Sequence, residues 1–236
     1  MSSNINIVLV DTSHPGNIGS TARAMKTMGL NKLTLVTPKD FPSDIANAQA
    51  VGCIDILDNA TIVGSLEQSV CDSVIVIGLS ARPRKSSIPT LSMDQCIDLL
   101  NKFPNDEISI VFGNEQSGLS NEELQTCDYL VSIPTDEAYT SLNLAAAVQV
   151  FAYEYHKNCS KHQISDNKSD IAKHSTKNTL IQTFISIMLI LDIITEKNKK
   201  SLIQNVHVIF NKSNLTDNEA NLLLGVLSSI KKALQK

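Results

Sequence analysis

The chain has no tryptophan, and its aromatic content is only 4%. That argues against RNA recognition by broad base-stacking platforms, which need aromatic rings, but leaves contacts to backbone phosphates open. Arginine is scarce as well: of 20 basic residues only Arg23, Arg82 and Arg84 are arginine. The five cysteines (Cys53, Cys71, Cys96, Cys127, Cys159) are odd in number and never form a CxxC pair. They give no readable zinc site and fit buried thiols in a reducing cytoplasm. The longest apolar stretch, Phe184 to Leu191, ends at Asp192 and is too short to span a bilayer. Met1 to Val10 lacks the basic start and long apolar core of a signal peptide. No GxGxxG follows the first apolar run, and GxxxxGK[ST] is missing, so dinucleotide, Rossmann methyltransferase and P-loop readings lose their main support.

What is present describes a globular protein: 236 residues, 42% hydrophobic and 19% charged, enough for one full domain and a smaller extension. The net charge of −4 averages two unlike parts. Residues 1–156 hold 8 basic and 18 acidic groups, whereas residues 157–236 hold 12 basic and 6 acidic. The tail is therefore the half that attracts a polyanion, although a solvated lysine-rich surface would give the same count.

Nearly continuous apolar runs at Ile5–Val10, Leu33–Val36, Val74–Ile77, Ile108–Phe112 and Leu130–Ile133 read as strands buried on both faces. Helical patterns intervene at Ile18–Met28 (closed by Gly29), Asp44–Ala50, Ser92–Lys102 and Asn121–Thr126, and Asn143–His156 follows as the strongest helix. The alternation predicts an α/β fold with a mainly parallel sheet covered on both faces. Residues 1–157 read as the main domain, 158–177 as a polar linker, and 178–236 as a helical extension. Within the extension Thr179–Ile194 is apolar nearly all round, so it must pack on the main domain or on a second copy. Thr216 and Glu219 form a capping box for a last helix.

Three segments carry the chemistry, each following an apolar run and opening a helical pattern. They are Pro15-Gly16-Asn17-Ile18-Gly19 running on to Arg23, then Phe112 to Leu119 with Gly113 and Gly118 bracketing Glu115, and then Ile133-Pro134 leading to Ser141-Leu142-Asn143. All three loops fall at one edge of the sheet, where open α/β proteins bind ligands. In a chain that otherwise uses lysine, its few guanidinium groups point to a need for planar, multi-donor geometry. Arg82, Arg84 and Lys85 form the one dense basic cluster in the acidic part and read as phosphate contacts. His14 has no second ligand at suitable spacing, and no metal site is read.

These segments resemble the three motifs of the SpoU/TrmH branch of the SPOUT RNA methyltransferases. The residues are Asn17-x-Gly19-x-x-x-Arg23-Ala24 with Gly29, Phe112-Gly113-x-Glu115-x-x-Gly118-Leu119, and Ile133-Pro134 with Ser141-Leu142-Asn143-Leu144-Ala145. Thr12-Ser13-His14, Arg23 to Leu30 and Ser80-Ala81-Arg82-x-Arg84 are similar to the TrmJ type within that branch. Asn114 and Gln116 depart from it, since arginine is common there in that type.

The resemblance implies an α/β-knot domain, its trefoil knot at the carboxyl end of the sheet, in a cytoplasmic homodimer. It implies S-adenosylmethionine-dependent 2′-O-methylation of a ribose in the tRNA anticodon loop, at the cytidine or uridine of position 32. The alternatives are the same reaction on another tRNA or rRNA nucleotide, and a non-catalytic RNA-binding paralogue. Leu79, Ser80, Ala81, Gly113, Ile133, Thr140, Ser141 and Leu142 would hold the cofactor, mostly through backbone groups. Arg23 would orient the ribose or adjacent phosphate, and a guanidinium that stays protonated is a poor free base. Asn17 would fix Arg23 or the substrate, or cap its helix. Ser141 and Asn143 would bond the substrate or cap theirs, and Glu115 would hold the loops together. Arg23, Arg82, Arg84 and Lys85 would meet the RNA.

Overall fold

Strands that are apolar at every position have no face to give to water, so they settle in the middle of a sheet with helices on both sides. The computed structural model describes residues 4–80, 88–159 and 170–234. In chain order its elements are β1 (Ile5–Val10), α1 (Pro15–Thr27), β2 (Lys32–Val36), α2 (Asp44–Ala50), α3 (Ile54–Asp58), β3 (Thr61–Val63), α4 (Leu66–Ser69) and β4 (Ile75–Leu79). There follow β5 (Thr90–Leu91), α5 (Met93–Leu100), β6 (Ile108–Phe112), α6 (Asn121–Thr126), β7 (Tyr129–Val131), α7 (Leu144–Cys159), α8 (His174–Ile190), α9 (Lys199–Lys212) and α10 (Asp217–Leu234).

The seven strands form one parallel sheet in the order β3-β2-β1-β6-β4-β7-β5. Ile7 lies opposite Leu33 on one side and Ile110 on the other, and Ile110 lies opposite Ile77. This register stacks Ile and Leu on one face, where Met25 of α1, Ile97 of α5 and Phe151 of α7 cover them. Val8, Val36, Val76 and Val111 line the other face under Leu66, Leu119 and Leu124. Each such side chain contributes about 1.5–3 kcal/mol by leaving water, so the two-sided core fixes the register. Because the strands are parallel, the segments after β1, β4, β6 and β7 all emerge at the same edge.

Helix α1 packs closely on α2 because Gly19 has no side chain. A Cβ there would lie 2.1 Å from the Ala46 carbonyl oxygen. Gly29 closes the helix at φ 77°, the left-handed cap expected of it.

The tail is fastened at its beginning by a buried ion pair. Lys177 Nζ of α8 donates to Asp128 Oδ1 at 3.2 Å and to the Val74 carbonyl at 3.1 Å. Asp128 Oδ2 in turn accepts from the Val76 N–H at 2.7 Å. Beyond this anchor Ile181, Ile185, Ile194 and Val206 form a small core of their own, while Leu189, Ile190 and Leu191 remain exposed.

The elements differ from the sequence expectation mainly at their ends and in short pieces. β3, β5, α3 and α4 are new, each five residues or fewer and too short for a periodic signal. α9 is new as well; its Val206-His207-Val208-Ile209 centre reads as a strand in isolation and turns helical where Val206 packs on α8. α8 begins at His174, within the polar stretch read as a linker, because Lys177 is buried against Asp128. β7 ends at Val131, so Ile133 lies in the loop that follows.

Candidate active site

The loop after β1 turns sharply, with Asp11 at φ 50°, and delivers Thr12, Ser13 and His14 to the start of α1. His14, not Asn17, is the N-cap of that helix: its Nδ1 accepts from the Gly16 N–H at 3.0 Å. The capping role considered for Asn17 is thereby excluded, and its side chain, one turn further on, is left for another partner.

The loop after β6 folds back on itself. The Gly118 N–H donates to the Asn114 carbonyl at 2.8 Å, and Gly118 adopts φ 66°. Gly113 is pressed so tightly into this turn that a Cβ would lie 2.3 Å from the Gly118 carbonyl carbon and from the Leu119 nitrogen. Glycine is needed there for close backbone approach. Asn114 Nδ2 then reaches the Asp11 carbonyl at 2.7 Å and ties this loop to the first.

Glu115 completes the junction. Its carboxylate accepts from the Ser13 N–H at 3.2 and 3.0 Å, from Ser13 Oγ at 2.9 Å, from the His14 N–H at 3.3 Å and from Asn17 Nδ2 at 2.8 Å. Partial burial pushes its pKa up, but the bonds from Asn17 and Ser13 favour the charged form, and the net direction is down. Among the described residues Glu115 thus holds loops together through backbone, hydroxyl and amide donors.

The third loop joins through Asn143. Its Nδ2 donates to Asn17 Oδ1 at 3.0 Å, and its Oδ1 caps α7 by accepting from the Ala145 N–H at 2.9 Å. Asn143 therefore caps its helix, one of the two roles read for it, and its amide also reaches Asn17. One chain of hydrogen bonds, Glu115–Asn17–Asn143, links all three motif loops.

Beside this chain lies a cleft at the carboxyl edge of the sheet. Leu79, Ser80, Gly113, Glu115, Ile133, Thr140, Ser141 and Leu142 line it, together with Phe112, Thr135, Leu144 and Ala147. Every cofactor-site residue named from the sequence is there except Ala81, which falls outside the described residues, as do Arg82, Arg84 and Lys85. Thr135 and Ala147 were missed; Ala147 could have been found by helical spacing, one turn after Asn143. Ser13, the main donor to Glu115, was also missed as a site residue. The walls suit a ligand with an apolar part against Leu79, Ile133, Leu142 and Ala147 and a positive centre near Glu115.

Arg23 lies apart from this cleft. It is exposed on α1, six residues beyond Asn17 and therefore about 9 Å further along the helix. It makes no hydrogen bond or ion pair among the described residues and does not line the cleft. No group of three or more His, Cys, Asp or Glu that could hold a metal occurs among the described residues. No described helix is long and apolar enough to cross a membrane.

Among known proteins, the model of the SpoU rRNA methylase family matches residues 4–153. The chain is 39% identical over 241 residues to the tRNA (cytidine/uridine/adenosine-2′-O-)-methyltransferase TrmJ of Pseudomonas aeruginosa (strain UCBPP-PA14), a match covering 97% of this chain and 94% of that one. It is 37% identical over 241 residues to the tRNA (cytidine/uridine-2′-O-)-methyltransferase TrmJ of Photorhabdus laumondii, with both chains fully covered. The crystal structure of TrmJ from Z. mobilis ZM4 superposes with a TM-score of 0.87 at 25% identity, covering 96% of this chain and 98% of that one.

Proposed function

The chain belongs to the SpoU rRNA methylase family, and on that premise we propose that it methylates a ribose 2′-oxygen in the anticodon loop of tRNA, at the cytidine or uridine of position 32. It is a methyltransferase, similar over its whole length to the tRNA 2′-O-methyltransferases named above. The observation that carries the reading is the Glu115–Asn17–Asn143 chain, which fixes three motif loops around one cleft.

S-adenosylmethionine is the methyl donor in this reading; when bound, it supplies an electrophilic methyl group on a sulfonium. Backbone groups of Leu79, Ser80, Gly113, Ile133, Thr140 and Leu142 would hold it, with Ala81 assigned the same role by motif match. The anionic Glu115 favours its positive charge and keeps the loops in place. Ser141, exposed at the cleft, and Asn143 present hydrogen-bonding groups to the incoming ribose. Arg23, staying protonated, orients the ribose or its neighbouring phosphate and offsets the negative charge that grows on the 2′-oxygen as its proton passes to solvent. Holding oxygen and methyl in line supplies much of the rate.

Residues 1–157 form the catalytic part in this reading, with the trefoil knot its family implies. The stretch 158–177 connects it to the extension, 178–236, which serves dimer and tRNA contacts. Arg82, Arg84 and Lys85 add phosphate contacts, and the protein works as a cytoplasmic homodimer. Nucleoside mass spectrometry on tRNA from cells with and without the chain tests this. Loss of a 2′-O-methyl nucleoside at position 32, restored by wild type but not by Arg23→Ala, is the expected result. An unchanged tRNA profile would sink the assignment. The adenosine in the Pseudomonas relative's name gives a second reading, in which the target base is less restricted.

A further inference from the structure

We propose that His14 contacts the substrate directly, its Nε2–H donating to an oxygen of the RNA sugar–phosphate backbone as the target nucleotide enters the site. The inference rests on the reading of this chain as an RNA 2′-O-methyltransferase and assigns a contact that the motif comparison leaves out.

The first argument is the tautomer. His14 Nδ1 accepts from the Gly16 N–H at 3.0 Å, so in the neutral ring the proton resides on Nε2. The side chain is exposed, and among the described residues it makes no other hydrogen bond. The ring therefore presents one oriented donor to solvent.

Capping does not explain why this residue is histidine. Serine, aspartate and asparagine are the favoured N-caps, and this chain itself uses Ser65, Ser92 and Ser120 to cap α4, α5 and α6. A serine at position 14 would satisfy the helix equally well. Only the second nitrogen distinguishes histidine, and that nitrogen takes no part in the cap.

The ring is also held in place. A Cβ on residue 16 would lie 2.9 Å from His14 Nδ1, so Gly16 leaves the imidazole its position against the backbone. On the other side the His14 N–H is bonded to Glu115 at 3.3 Å, and its carbonyl accepts from the Asn17 N–H at 3.0 Å. The backbone of His14 is thus bonded to Glu115 and Asn17, two residues that join the loops, and Glu115 itself lines the cleft. In a part of the chain with 8 basic and 18 acidic residues, a fixed N–H donor offers the RNA backbone a contact beyond the few cations.

The test compares His14→Asn with wild type, because asparagine retains a capping acceptor but cannot reproduce the Nε2 donor. Full-length protein is assayed with whole tRNA for direct binding, KM, kcat, cofactor affinity and melting temperature. The expected result is a five- to tenfold rise in tRNA Kd and KM, about the value of one lost hydrogen bond, with cofactor affinity and melting temperature unchanged. His14→Ala should lose stability as well but match His14→Asn in tRNA affinity. Unchanged tRNA Kd and KM in His14→Asn would overturn the contact and leave His14 as a cap only. A wild type that binds tRNA without transferring methyl would sink the reaction reading, while the binding comparison would still decide the role of His14.

Discussion

Asn143 donates to Asn17 at 3.0 Å, although 126 residues separate them in the chain. Asn17 is at the same time bonded to Glu115 at 2.8 Å, so its amide bridges the second and last motifs. Removing either asparagine should loosen the same geometry. We expect Asn17→Ala and Asn143→Ala each to lower kcat/KM about 10- to 100-fold. The double variant should lose far less than the product, because residues in one hydrogen-bond network couple. A double-mutant cycle on tRNA methylation checks this, and fully multiplicative losses would show that the two act independently.

Glu115 gives a pH dependence with a definite sign. Its pKa in the folded protein lies below the ordinary 4.5, since hydrogen bonds to the charged form outweigh burial. A carboxylate depressed on folding contributes stability that is fully present above its unfolded value and is lost as pH falls through its folded one. Wild type should therefore exceed Glu115→Gln in stability at pH 6 and 7, and the gap should close below about pH 4.5. Denaturant titrations of both proteins across that range measure it. A gap that stays constant with pH would assign the stabilisation to shape and not charge.

The sheet was legible because Ile5–Val10 and Ile108–Phe112 are apolar throughout, which only a doubly covered strand tolerates. The cleft was legible through motif resemblance, from Leu79 and Gly113 to Leu142. Spacing alone could not reveal that Asn17 reaches Asn143, since long-range pairing leaves no local period. The cap on α1 was hidden for another reason: histidine is not a favoured N-cap, and Asn17 drew attention to itself as a better one. Lys177 appeared to belong to a polar connector because its buried partner, Asp128, lies far off in the chain, in the turn between α6 and β7.

The Lys177–Asp128 pair should be among the most sensitive points in the fold. Its side chains are 4% and 2% exposed, so neither charge can turn to water if the other is removed. Lys177→Met leaves Asp128 buried with only the Val76 N–H and should cost about 3–5 kcal/mol. Lys177→Met combined with Asp128→Asn should recover most of that loss, because the uncompensated charge is gone. Urea denaturation of the three proteins supplies the comparison. A loss below 1 kcal/mol in the single variant would mean that the tail is not fastened there.

Two glycines should respond in opposite directions to the same substitution. Gly19→Ala places a methyl group 2.1 Å from the Ala46 carbonyl, and α1 must move off α2 to admit it. Overpacking of this kind costs about 1–3 kcal/mol. Gly225 lies inside α10 with nothing within 4 Å of the new Cβ, so Gly225→Ala should add about 0.5–1 kcal/mol of stability. Thermal melts decide both, and a stabilised Gly19→Ala would show that α1 and α2 can part without cost.

Arg23 poses the last question, because the residue assigned to orient the ribose does not line the cleft of its own chain. It is exposed on the line of Gly16 and Gly19, the face of α1 that meets α2. We expect the cleft it serves in the proposed homodimer to be the partner's. In a mixed dimer, Arg23→Ala on one chain and Gly113→Val on the other would then damage the same cleft and leave the other cleft whole. Each variant alone should be inactive as a homodimer. Mixed dimers, obtained by co-expression with two affinity tags, would carry one complete site and should regain roughly half of wild-type kcat per dimer, the share expected for one working site of two. Methyl transfer by the doubly tagged fraction is the measurement. A mixed dimer as inactive as its parents would place Arg23 in the cleft of its own chain, reached by a movement of α1 when tRNA binds.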